Sequence, residues 1–162
     1  MIRKFFITLT FISIGTFALA QEKGALRASG NLAYGFEVEE LGFNLGAEYF
    51  ITDNISGGLN FSIFFVEDPA SFNEFNIDGR YYFDSGKIQP FALIGISNAT
   101  SKFSGTVGGV PFDFKDSEVG LNIGGGAVFP ISEKLGINTQ LKYATPFDGQ
   151  FVIQGGVIYR IL

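Results

Sequence analysis

The chain has 162 residues, with no Cys, His or Trp, 22 Gly, 20 Phe and a net charge of −5. The missing Cys excludes a disulfide framework and a lipidated N-terminal Cys, and the acidic balance argues against nucleic acid as a partner. A chain of this length makes one domain.

Residues 1–20 read as a secretory signal peptide. Arg3 and Lys4 precede an apolar run over 5–17, and Ala18-Leu19-Ala20 forms a small-x-small cleavage site. Cleavage before Gln21 leaves 21–162 as the mature domain, with 9 Lys and Arg against 16 Asp and Glu, a charge of −7. Beyond residue 20, apolar residues nowhere recur at helical spacing, so the mature chain reads as all-β.

Strand one covers 26–36, with Leu26, Ala28, Gly30, Leu32, Tyr34 and Phe36 on one face. In strands two and three every second residue is apolar or Gly. Leu41, Phe43, Leu45, Ala47, Tyr49 and Ile51 are followed, after Thr52-Asp53-Asn54, by Ile55, Gly57, Leu59, Phe61, Ile63 and Phe65. Such period-two rows belong to long antiparallel strands with one apolar face, at the length of about 9–11 residues that crosses a bilayer. Strand four covers 75–83. Ser85-Gly86 then reads as a two-residue turn that pairs Phe83 with Ile88, passing the row to Ile88, Pro90, Ala92, Ile94 and Ile96. Strand six carries Val119, Leu121, Ile123, Gly125, Ala127 and Phe129; strand seven covers 135–143; strand eight ends the chain from Phe151 to Ile161. Eight strands joined by hairpins predict an eight-stranded antiparallel up-and-down β-barrel. The connections after strands two, four and six read as short and those after three, five and seven as longer, which places both termini in the periplasm.

The apolar row has two candidate directions. A soluble lipocalin-like ligand-binding barrel would turn it inward; a transmembrane barrel turns it out to lipid. The polar row is mostly Gly, Ser, Asn and Gln, unlike the Lys- and Glu-rich exterior of a soluble barrel. Aromatic residues also sit at both ends of the strands, as at the two interfaces of a bilayer. Tyr49, Phe50, Tyr82, Phe83, Phe129 and Tyr159 lie by the short turns; Tyr34, Phe36, Phe43, Phe65, Phe75, Tyr143 and Phe151 lie by the longer loops.

Over residues 21–162 this pattern resembles the small OmpA/OmpX-type outer-membrane β-barrels of Gram-negative bacteria, in their single-barrel form. The C-terminus is similar to the family's assembly signal at Gln154, Gly156, Tyr159 and Ile161, with the departure that Leu162 follows where members end on an aromatic residue. The resemblance implies residence in the outer membrane among lipid and lipopolysaccharide, insertion by the outer-membrane assembly machinery, and a monomer.

No catalytic, cofactor-binding or metal-ligating residue is assigned, because barrel enzymes generally rely on a His base that this chain lacks. Arg27, Glu48, Asp78, Arg80, Lys142 and Arg160 lie on the polar row and are expected to pair inside the lumen, since buried charges need partners. A lumen filled in this way is not an open pore.

The sharpest local signal is the hairpin over 100–117. Gly108-Gly109 marks its tip, and running the register back pairs Phe103 with Phe114, Gly105 with Phe112 and Ile96 with Leu121. Along it the apolar face switches sides near Asn98 and Val119. Phe103, Val107, Val110, Phe112 and Phe114 fall on the barrel-axis side, either as a lid over the mouth or as a protruding edge for an extracellular protein. Glu37, Glu39, Glu40, Glu67, Asp68 and Glu74 read as an acidic outer rim that either is solvated or shares divalent ions with lipopolysaccharide. The function expected is structural or cell-surface interaction without catalysis, with OmpW-type passage of small hydrophobic molecules as the alternative.

Overall fold

A computed structural model describes residues 21–162; residues 1–20, the expected signal peptide, lie outside the described residues. Eight strands make up the domain: β1 (Leu26–Gly35), β2 (Glu40–Phe50), β3 (Ile55–Phe64), β4 (Ala70–Tyr82), β5 (Gln89–Val107), β6 (Val110–Pro130), β7 (Leu135–Ala144) and β8 (Gln150–Arg160). They form a closed antiparallel barrel in chain order, with no helix among the described residues. The closing ladder pairs Arg27 with Arg160 and Gly35 with Val152.

The alternation sorts the side chains as the pattern requires. Leu32, Leu45, Leu59, Ile77, Ile94, Leu121 and Val157 all stand outward and exposed, while Asn31, Asn44, Ser62, Asn76, Asn122 and Asn138 are buried inside. An apolar exterior around a polar interior is stable only where the surrounding solvent is lipid, so the row faces the membrane. That orientation excludes the soluble lipocalin-like alternative.

Three details differ from the sequence reading. The β4–β5 connection is six residues long (83–88) and the ladder pairs Tyr82 with Phe91. Ser85-Gly86 is therefore not a two-residue turn. Asp84 instead caps a wider loop by accepting the Gly86 N–H at 2.9 Å. The expected pairing slides by two residues, which preserves every facing and so left no trace in the pattern. Second, connections at both rims are short. Asymmetry comes from β5 and β6, which continue as a paired ribbon to Val107 and Val110. Third, Phe50 and Tyr82 belong to the lumen and not to the aromatic belt, each with no exposed surface. Tyr49, Tyr81, Phe83, Phe129 and Tyr159 hold the lower belt.

Candidate functional site

The lumen is filled in layers along the barrel axis. Toward the rim where Gln21 and Leu162 lie is an apolar cluster of Ala25, Phe50, Tyr82, Phe91, Leu93, Val128 and Ile158. Two guanidiniums rest on its rings: Arg27 is 4.6 Å from the Phe50 centroid, and Arg80 is 4.8 Å from that of Phe91. These are cation–π distances. Glu48 gathers the polar groups of the layer. It accepts from Ser56 Oγ and from the Tyr82 hydroxyl at 2.9 Å, and pairs with Arg80 at 3.5 Å.

Above this layer runs a chain of six asparagines. Asn138 donates to Asn31 (3.2 Å), Asn31 to Asn44 (3.1 Å) and Asn44 to Asn60 (3.0 Å). Asn76 also donates to Asn60 (3.0 Å), and Asn122 donates to Asn76 (2.8 Å). Amides suit this place because each carries both donor and acceptor and no charge. Asp78 sits in the same layer and is held by amides, accepting from Asn60 at 2.6 Å and Asn122 at 3.1 Å.

The next layer is ionic. Lys142 Nζ lies 2.9 Å from Glu74 Oε2, and Gln150 donates to the other Glu74 oxygen at 2.6 Å. The far mouth is closed by Ala33, Phe64, Phe72, Ala99 and Val152, with Val38, Val66 and Phe147 packed against them.

Glycines on the inner wall make room for these layers. A Cβ on Gly124 would stand 2.4 Å from the Leu141 carbonyl oxygen, and one on Gly126 2.0 Å from that of Thr139. No side chain fits at either position without moving backbone.

The six residues expected to form the lumen network thus divide. Arg27, Glu48, Asp78, Arg80 and Lys142 are inside. Arg160 is not: it lies at the rim, bonded to Glu22 at 3.0 Å and to the Leu162 carbonyl at 2.8 Å. Glu74 moves the other way, from the expected acidic rim to the lumen, where it is 1% exposed. The reason is that β4 begins at Ala70, five residues earlier than the apolar row suggested, so Glu74 falls on an inward position. Glu37, Glu39, Glu67 and Asp68 stay exposed at the rim, and among the described residues no group of three or more acidic side chains is placed to hold a metal.

The hairpin register matches the expected one, with Phe103 opposite Phe114, Gly105 opposite Phe112 and Val107 opposite Val110. Gly108 and Gly109 adopt φ of +59° and +83°, the left-handed pair that a two-residue turn between strands requires. Phe112 lies across Gly105, and its ring centroid is 6.0 Å from that of Phe103. The face does not fold over the mouth. Phe112 and Phe114 remain 40% and 64% exposed, and the mouth is filled by Phe64, Phe72 and Phe147 instead. The lid expectation is therefore corrected: the hairpin stands free.

Among the residues that resemble an assembly signal, Gln154 is buried and bonded to Gln140, whereas Tyr159 and Ile161 face outward. A Cβ on Gly156 would meet the Gly30 carbonyl oxygen at 2.1 Å across the closing ladder.

No family model and no curated protein matches this sequence. Solved structures do match. The N-terminal β-barrel domain of Pseudomonas aeruginosa OprF superposes with a TM-score of 0.69 at 16% identity, covering 86% of this chain and 98% of that one. Ail, the attachment invasion locus protein of Yersinia pestis, matches with a TM-score of 0.60 at 18% identity over 86% of this chain and 99% of its own. The outer membrane protein OprG of P. aeruginosa matches with a TM-score of 0.63 at 12% identity over 89% and 99%. The fold is that of the small OmpA/OmpX-type outer-membrane barrels. It agrees with the resemblance carried by the alternating rows.

Proposed function

We propose that this chain is an integral outer-membrane protein with a structural and cell-surface interaction role and no catalytic activity. The observation that carries it is the contrast between a packed lumen and a free hairpin. The axis is filled by two apolar clusters with a hydrogen-bonded polar column between them. Beyond the mouth, β5 and β6 present exposed aromatic side chains that no other described element covers. On this reading the hairpin rim faces outward from the cell, both termini are periplasmic, and the barrel works as a monomer in lipid and lipopolysaccharide after insertion by the assembly machinery.

Ail has also been solved in complex with the heparin analogue sucrose octasulfate. That ligand class does not transfer to this chain, whose hairpin rim is acidic and repels polyanions. Passage of small hydrophobic molecules requires a lateral gap, and the eight ladders run unbroken around the barrel, so the interaction reading is favoured.

Deletion of 106–110 tests it. Cells displaying the shortened protein are expected to lose attachment to surfaces that the intact protein supports, while the purified barrel keeps its SDS resistance and heat-dependent mobility. Unchanged attachment overturns the interaction role.

A further inference from the structure

The hairpin carries an open strand edge whose direction the hydrogen bonds define. Leu121 turns both backbone groups toward Thr145, donating to its Oγ1 and accepting its N–H, each at 2.9 Å. Backbone direction alternates along an antiparallel ladder, so Val119, Ser117, Lys115 and Asp113 turn theirs the same way. β7 has ended at Ala144, and the 145–149 connection reaches back only to Glu118, whose carboxylate accepts the Phe147 N–H at 3.0 Å. Pro111, without an N–H, closes the edge beneath the tip. On the other side, β4 accompanies β5 as far as Phe103. The edge that no neighbouring strand covers is therefore β6 from 113 to 119, and within it the Asp116 carboxylate accepts the Ser117 N–H at 2.8 Å.

Charge is distributed along the axis to match. Inside, Arg27, Arg80 and Lys142 balance Glu48, Glu74 and Asp78. At the rim with the chain ends, four cations balance four carboxylates. The hairpin rim holds nine carboxylates against Lys102 and Lys115, so the entire −7 of residues 21–162 sits there. Along the axis-side face of β6 the order is Phe112, Phe114, Asp116, Glu118.

From this edge and its charge, resting on the interaction role above, we propose that β6 accepts an extended cationic strand of a partner polypeptide. An antiparallel strand would set two basic residues opposite Glu118 and Asp116 and two apolar ones opposite Phe114 and Phe112. Main-chain bonds to residues 113 and 115 and to the Ser117 carbonyl supply the pairing, and the alternate side chains supply the selection.

The test is a fluorescence-anisotropy titration of the intact mature barrel in detergent micelles with labelled seven-residue peptides. The probe has the order Lys-Thr-Lys-Thr-Val-Thr-Val; its controls replace Lys by Glu, or methylate alternate backbone nitrogens. The Lys peptide is expected to bind, with both controls weaker by about tenfold or more. Ser117→Pro blocks the centre of the edge without changing charge, and Asp116→Asn with Glu118→Gln removes charge while keeping side-chain oxygens that accept the Ser117 and Phe147 N–H groups; each is expected to weaken binding similarly. Equal binding of the methylated peptide, equal binding of the Glu peptide, or no binding of the Lys peptide overturns the proposal. So does a micelle-bound dimer that Ser117→Pro dissolves, which would give the edge to a second copy. If the 106–110 deletion abolishes attachment while the Lys peptide fails to bind, the interaction role stands and this partner class falls.

Discussion

Lys142 reaches across the barrel from β7 to Glu74 on β4, with Nζ and Oε2 2.9 Å apart and both side chains 1% exposed. Removing one partner of such a pair strands a buried charge, at a cost of about 3–5 kcal/mol. Lys142→Met should therefore lower the heat-denaturation midpoint in detergent substantially. The double variant Glu74→Gln, Lys142→Met should recover most of the loss. Equal destabilisation of single and double variants would show that packing, not charge, sets the effect.

Gly155 and Gly156 are chain neighbours with opposite requirements. Gly155 faces outward, with nothing within 4 Å of an added Cβ, while Gly156 abuts the Gly30 carbonyl oxygen. Gly155→Ala should leave the melting midpoint unchanged. Gly156→Ala should depress it and slow closure of β8 on β1, read as a smaller folded fraction on SDS gels after refolding.

The mouth and the hairpin separate in the same assay. Phe72 is buried among Phe64 and Phe147, and truncating a buried Phe costs about 3–5 kcal/mol. Phe72→Ala should lower the midpoint, whereas Phe112→Ser with Phe114→Ser should not. A drop of similar size in the second pair would restore the hairpin as a lid.

Tyr159 and Ile161 face outward near the end of the chain. If they act as an assembly signal, Tyr159→Ala should reduce machinery-dependent insertion in cells while refolding into detergent stays normal. Equal impairment in both settings would make Tyr159 a structural belt residue only.

Much of this architecture was legible because a strand's side chains alternate strictly. The rows from Leu41 to Ile51 and from Ile55 to Phe65 assign inside and outside from the pattern alone. The turn at Gly108-Gly109 supplied the register of the longest ladder. What escaped were features to which alternation is blind. A two-residue slide at 83–88 preserves parity, so Phe83 opposite Ile88 looked as sound as Phe83 opposite Pro90. Strand ends escaped too: Phe50 and Tyr82 obey inward parity, but their position beside a turn suggested a belt. Glu74 and Arg160 exchanged roles because strand length, not composition, decides what lies at a rim. The asparagine chain was visible only as a polar row, since nothing local states which amides meet across eight strands.

Those amides tie together strands that never touch in the sheet. Asn122 bonds from β6 to Asn76 on β4, skipping β5, and Asn138 bonds from β7 to Asn31 on β1, skipping β8. A meander held only by its ladders could shed a terminal hairpin and keep the rest. Here no hairpin can leave without breaking bonds through the axis, so loss of structure should be all-or-none. The converse holds for assembly. The Asn138–Asn31 link cannot form before the two ends of the sheet meet, which makes closure of the barrel the step that locks its interior.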